Sequence, residues 1–170
     1  MKNLDQRGVT LVELLAAIVI VGFLTILIWR IFFQTIDYNS YAVTEQTLQQ
    51  EANVILASMQ SIHTQDTIQH IKLSNSGKQL DIYVKDTANP TDGKLAQSFT
   101  RSGITYQLYS TKPTLSNNIY SGTTVSSISS GTPQNNRITL PVNLVLSSSY
   151  KEGKSNSFLL STTLSRLTTD

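Results

Sequence analysis

The chain has 170 residues, no cysteine and a formal net charge of +2. That length allows about one domain. The absence of cysteine excludes a disulfide framework, a thiolate metal site and a cysteine nucleophile. Apolar residues make up 39% of the chain, and much of that share falls in the first 36 positions. The rest is rich in Ser, Thr, Asn and Gln, enough for a small core only. Charge is uneven: Asp37, Glu45, Glu51 and Asp66 are the only charged residues from Ile31 to Ile71, whereas ten bases face five acids from Lys72 onward. The bases are spread singly, the pattern of a solvated face rather than a dense cationic tract.

The first element is the run Val9 to Trp29, "VTLVELLAAIVIVGFLTILIW". As a helix it is about 31 Å long at 1.5 Å per residue, matching a bilayer core. It is too long and ends too bulkily, in "IWRIFFQTI", for a cleaved secretory signal. Lys2 and Arg7 precede it, which predicts a cytoplasmic N-terminus, and Trp29 and Arg30 suit the outer interface. Glu13 stands out, because a carboxylate inside a bilayer costs roughly 2.5–3.5 kcal/mol on insertion scales. A cut between Gly8 and Val9 would create an α-amino group four residues before Glu13 on one helical face, and the two charges could then neutralise each other within or between chains.

The leader "MKNLDQRG" followed by "VTLVELLAAIVIVGFL" resembles the N-terminus of type IV prepilins and type II secretion pseudopilins. The resemblance implies a membrane peptidase that cuts after Gly8 and N-methylates Val9, with Glu13 as the subunit docking carboxylate. It implies further partners in the membrane and among other major and minor pilins. Unlike many major pilins, the chain has no proline in this helix: the first is Pro90, and Gly22 is its weakest helix former.

No Gly or Pro falls between Phe23 and Ser76, so the helix is expected to continue. Tyr41, Leu48, Ala52, Ile55, Met59 and Ile62 recur at spacings of three, four and seven, one face of an amphipathic helix. A helix from Val9 to about Ile62 would be roughly 80 Å long. No head of this size can enclose that length. The sequence therefore predicts an α+β lollipop: leader 1–8, membrane or fibre-core helix 9–29, amphipathic stem 30–62, and β-rich head 63–170. The resemblance to pilins independently implies the same shape.

In the head, "TIQHIKL" and "QLDIYVKD" flank Ser74-Asn75-Ser76-Gly77, a hairpin signal. "TRSGITYQLYS" alternates with Ile104, Tyr106 and Leu108 on one face. "RITLPVNLVLSS" alternates with Ile138, Leu140, Val142, Leu144 and Leu146 on one face. Pro141 lies on the other face and suggests an edge strand or a bulge. A last strand is expected over "SNSFLLSTTLSRL". The stretch "KPTLSNNIYSGTTVSSISSGTPQNN" reads as a long loop with one short strand near Thr124 to Ile128. An antiparallel sheet packed on the stem is expected. The order of these strands resembles the J-type minor pseudopilins, the W-type minor pilins and a minor component of the Gram-positive competence pseudopilus. The missing cysteine fits a Gram-positive setting.

His63, Asp66 and His70 fall at i, i+3 and i+7, a spacing that could share a helical face and hold a metal. The helix is expected to end there and a third firm ligand is missing, so no metal or cofactor is assigned. No phosphate loop, EF-hand pattern or HExxH motif occurs and neither His forms a triad with a Ser, so the chain is not read as an enzyme. Arg101, Tyr106, Tyr109, Lys112 and Tyr120 mix bases with aromatics, a composition that can stack on single-stranded nucleic acid; strand residues facing core and solvent are the favoured reading. The expectation is a minor pilin or pseudopilin. It is a single-pass plasma-membrane protein with its N-terminus inside, then part of an extracellular pilus or pseudopilus. The alternative is a membrane-anchored surface-binding protein that never assembles.

Overall fold

The computed structural model describes residues 10–116, 119–131 and 137–167. The chain divides into two compact units, residues 1–39 and 40–170. One helix, α1 (Leu11–Gln65), contributes to both. Its end lies three residues beyond the expected Ile62, because Gln60 to Gln65 carry no Gly, Pro or extended-favouring run and the Asp66 N–H still bonds the Ile62 carbonyl at 2.7 Å.

In the first unit, every large apolar side chain from Leu11 to Phe33 is exposed, between 49% and 77%. Thr25 and Thr35 do not break the apolar surface: each hydroxyl donates to the carbonyl four residues back, at 2.8 and 2.9 Å.

The second unit packs Ser40–Gln65 of α1 against two four-stranded antiparallel sheets. The strands are β1 (Ile68–Ser74), β2 (Gln79–Val84), β3 (Lys94–Thr100), β4 (Ile104–Tyr109), β5 (Thr114–Ser116), β6 (Ile119–Ser121), β7 (Thr124–Val125), β8 (Ser127–Ser129), β9 (Arg137–Lys151) and β10 (Lys154–Leu167). One sheet runs β3-β2-β1-β8, the other β10-β9-β4-β7, and β5-β6 form a separate ribbon. The expected hairpin is present. Asn75, Ser76 and Gly77 all take positive φ, and a Cβ on Gly77 would sit 2.8 Å from the Tyr106 carbonyl oxygen, so only glycine fits there.

Leu48, Ala52, Ile55 and Met59 of the expected stripe are fully buried, against Ile71, Leu80 and Ile82 of the first sheet and Leu108, Leu140, Val142, Leu144 and Leu146 of the second. Ile62 is partly buried against this core, while Tyr41 stays 37% exposed and meets Tyr150 edge-on at 5.6 Å. Ile104, Tyr106 and Leu108 point inward, as do Leu140, Val142, Leu144 and Leu146, with Ile138 partly buried; Asn143 and Val145 on the opposite face of β9 are buried as well.

Three expectations change. The described residues of the head form two four-stranded sheets and a two-stranded ribbon, not one sheet. The stretch expected to be a loop with a single strand contains β5 to β8, and it links the sheets, since β7 joins the second and β8, one residue later, the first. Serine and glycine there mark the tight crossing at Ser126, whose carbonyl accepts from Leu73 at 2.8 Å. Finally, β9 is not an edge strand, yet Pro141 is accommodated. Asn143 stands opposite Tyr109 of β4, and the Thr139 carbonyl accepts from Gly131 at 3.3 Å. By the two-residue period the Pro141 nitrogen faces the same side, in the gap between those partners, where no N–H is required.

Candidate functional site

The start of α1 is built by Thr10 and Glu13. The Glu13 Oε2 accepts from the Thr10 backbone N–H at 2.9 Å and from the Thr10 hydroxyl at 2.9 Å. The Glu13 N–H donates back to Thr10 Oγ1 at 3.3 Å, and Leu14 N–H bonds the Thr10 carbonyl at 3.2 Å. This is a reciprocal capping box, with Thr at the cap and Glu three residues on. A cap of this kind contributes about 0.5–2 kcal/mol to a helix, and an acid in the first turn also complements the helix dipole. The sequence reading missed Thr10; its signal was the spacing T-x-x-E before an apolar run. Gly8 and Val9, the expected cleavage and methylation positions, lie outside the described residues.

The apolar segment ends in an aromatic cluster. Trp29 stacks on Phe33 with centroids 5.5 Å apart and meets Phe32 edge-on at 6.3 Å. Aromatic rings beside Arg30 form the kind of belt that sits at a membrane interface.

Within the second unit, Glu51 is buried on the apolar stripe. Its Oε2 accepts from Arg101 at 3.0 Å and its Oε1 from the Tyr106 hydroxyl at 3.1 Å. Burial, and next the neighbouring Glu51 charge, push the Tyr106 phenol far above its ordinary value, so it stays a proton donor. The signal for Glu51 was its place three residues after Leu48 and four before Ile55: an acid on a buried stripe requires partners. Asp81 is a second buried acid, taking bonds from Ser74 Oγ at 2.6 Å and Gln79 Nε2 at 2.9 Å. Burial pushes its carboxyl up, but the hydrogen bonds from Ser74, Ser98 and Gln79 together bring it below the ordinary range.

The candidate metal spacing does not survive the fold. His63 lies in α1, Asp66 after it and His70 on β1, stacked on Tyr83 at 4.7 Å. The aromatic–basic group does not form an exposed stacking surface. Tyr106 and Tyr109 are buried and cannot stack on bases, and Arg101 is engaged with Glu51.

Residues 3–29 match the family model of the prokaryotic N-terminal methylation motif. The match covers the expected cleavage site, the capped helix start and the apolar run through Trp29. No curated protein and no solved structure matches the chain.

Proposed function

We infer that this chain, whose residues 3–29 carry the methylation motif of type IV prepilins and pseudopilins, is a minor subunit of a pilus-like fibre. In this reading a prepilin peptidase cuts after Gly8 and methylates Val9. The apolar half of α1 holds the subunit in the plasma membrane before assembly, with its N-terminus inside, and then lies among the same helices of other subunits. Glu13 receives the Val9 amine of a neighbour, and the head is carried outward near the tip, where it helps to start or cap assembly. The observation that carries the reading is the methylation motif placed on a helix whose apolar surface is exposed on every side from Leu11 to Phe33.

The capping box favours a second reading, since it gives Glu13 a role in an anchored protein that never assembles. Glu13→Gln separates the two, because Gln serves the capping box but carries no charge. Docking through a charge-assisted pair predicts that this variant stays in the membrane while its recovery in sheared fibres falls about tenfold or more. Capping alone predicts no change. Mass spectrometry of the N-terminal peptide from the same fibres should show a methylated Val9 start. A Met1 start confined to membranes would overturn the fibre assignment.

A further inference from the structure

The end of α1 and the last residues of β10 flank a cleft of about 360 Å³, within the size range of small-ligand sites. Gln60, His63 and Thr64 line it from the helix, and Thr162, Ser165 and Arg166 line it from the strand. Leu164 is buried, so the strand period puts Thr162 and Arg166 on the same inward face. His63 is 3% exposed, yet neither of its ring nitrogens has a hydrogen-bond partner among the described residues. That is unusual for a buried polar group and marks a site with something to receive.

The electrostatics select the sign of the guest. Among the described residues, Arg166 and His63 are the only titratable side chains that line the cleft. Asp66, exposed just beyond the end of the helix, is the nearest acid along the chain. Burial, and then the charge on Arg166, hold His63 below its ordinary value, so two cations do not coexist there at neutral pH. An anion changes this balance. It offers acceptors to an imidazolium and to the guanidinium fork together, and imidazolium also complements the negative end of the helix dipole.

We propose that this cleft binds a small oxyanion group, either a carboxylate or a tetrahedral anion, between His63 and Arg166, with the hydroxyl of Thr162 completing the shell. Binding draws a proton onto His63, because the bound anion stabilises only the charged ring. Affinity therefore rises as pH falls through the histidine range. The site is independent of whether the chain assembles into a fibre.

The test is isothermal titration calorimetry on the full-length chain in detergent micelles, with sodium sulfate and sodium glucuronate as separate probes at about pH 5.5 and about pH 7.5. Both probes keep their charge across this range, so a pH effect belongs to the protein. At least one should bind, about tenfold or more tightly at the lower pH, with proton uptake. Binding by glucuronate alone assigns a carboxylate ligand, by sulfate alone a tetrahedral one, and by both a site that reads charge. Arg166→Gln, at a half-buried position, should abolish binding while circular dichroism stays unchanged. His63→Gln should bind without the pH dependence. The wild-type protein gives a readout that needs no variant: the His63 ring nitrogens should shift on addition of the probe in nitrogen-15 spectra. Absence of binding by both probes, binding equal at the two pH values, binding that survives Arg166→Gln, or a silent His63 ring would each overturn the proposal.

Discussion

The two halves of α1 obey the same backbone rules and bury their side chains in different surroundings. From Leu48 to His63 the helix is two-faced: Leu48, Ala52, Ile55 and Met59 are fully buried, while Gln49, Gln50 and Gln60 face outward. From Leu11 to Phe33 it is apolar all round and exposed all round. A two-faced helix completes its burial with its own chain, whereas one apolar on every side completes it only in lipid or among other helices. One carboxylate from each half shows the same difference. Glu13 is satisfied by Thr10, three residues away, and Glu51 by Arg101 and Tyr106, fifty or more residues away.

The comparison breaks most visibly on truncation. Met59→Ala or Ile55→Ala removes a side chain from a fully enclosed site, and such changes cost about 2–5 kcal/mol. Urea unfolding of the head, followed by near-ultraviolet tyrosine dichroism in micelles, should show that loss. Ile20→Ala, at a position 60% exposed, should leave the same transition where it was. A large shift from Ile20→Ala would mean that the first half also supports the head, and the division between the halves would fail.

A smaller effect separates the polar groups. Tyr106→Phe leaves Glu51 Oε1 buried without its donor, a loss of about 1–3 kcal/mol in the same unfolding experiment. Arg101 is 46% exposed on its side chain, so Arg101→Gln should cost less, under about 1 kcal/mol. Thr25→Val removes a hydroxyl bonded only to its own helix, at Val21, and should not move the head at all. If Tyr106→Phe were neutral, the Glu51 cluster would be a bystander rather than a brace of the second half.

Local pattern was legible in the sequence; choices between distant partners were not. The apolar run, the stripe at Leu48, Ala52, Ile55 and Met59, and the alternations at Ile104–Leu108 and Leu140–Leu146 all follow from periods of 3.6 and 2. Thr10 was readable from its spacing to Glu13. The split into two sheets was not, because β7 and β8 are two and three residues long and their membership is decided by the partners Leu108 and Ile71 across the fold. Strand β3 was missed for a related reason. Its side chains are nearly all exposed and only Phe99 is buried, so it carries little alternation. Glu51 showed an anomaly on the stripe but not its remedy, which comes from residues on and beside β4.

The smallest expected effect sharpens the comparison at Gly22. It is the weakest helix former in the apolar half, and a Cβ added there meets nothing within 4 Å among the described residues. By propensity alone Gly22→Ala should strengthen the helix, by about 1 kcal/mol at most. In micelles the variant should therefore match or exceed the wild type in helicity on heating, and its membrane level should be unchanged. In fibres the outcome depends on what lies against that face. A methyl group tolerated without loss of incorporation would mean that neighbouring helices stay at ordinary spacing around Gly22. A variant that enters the membrane normally but is depleted from sheared fibres would mean that another helix approaches there closely enough to need a bare backbone. Such a contact would belong to the assembled state alone, and the exposed half of α1 would then be shaped by a protein neighbour as well as by lipid.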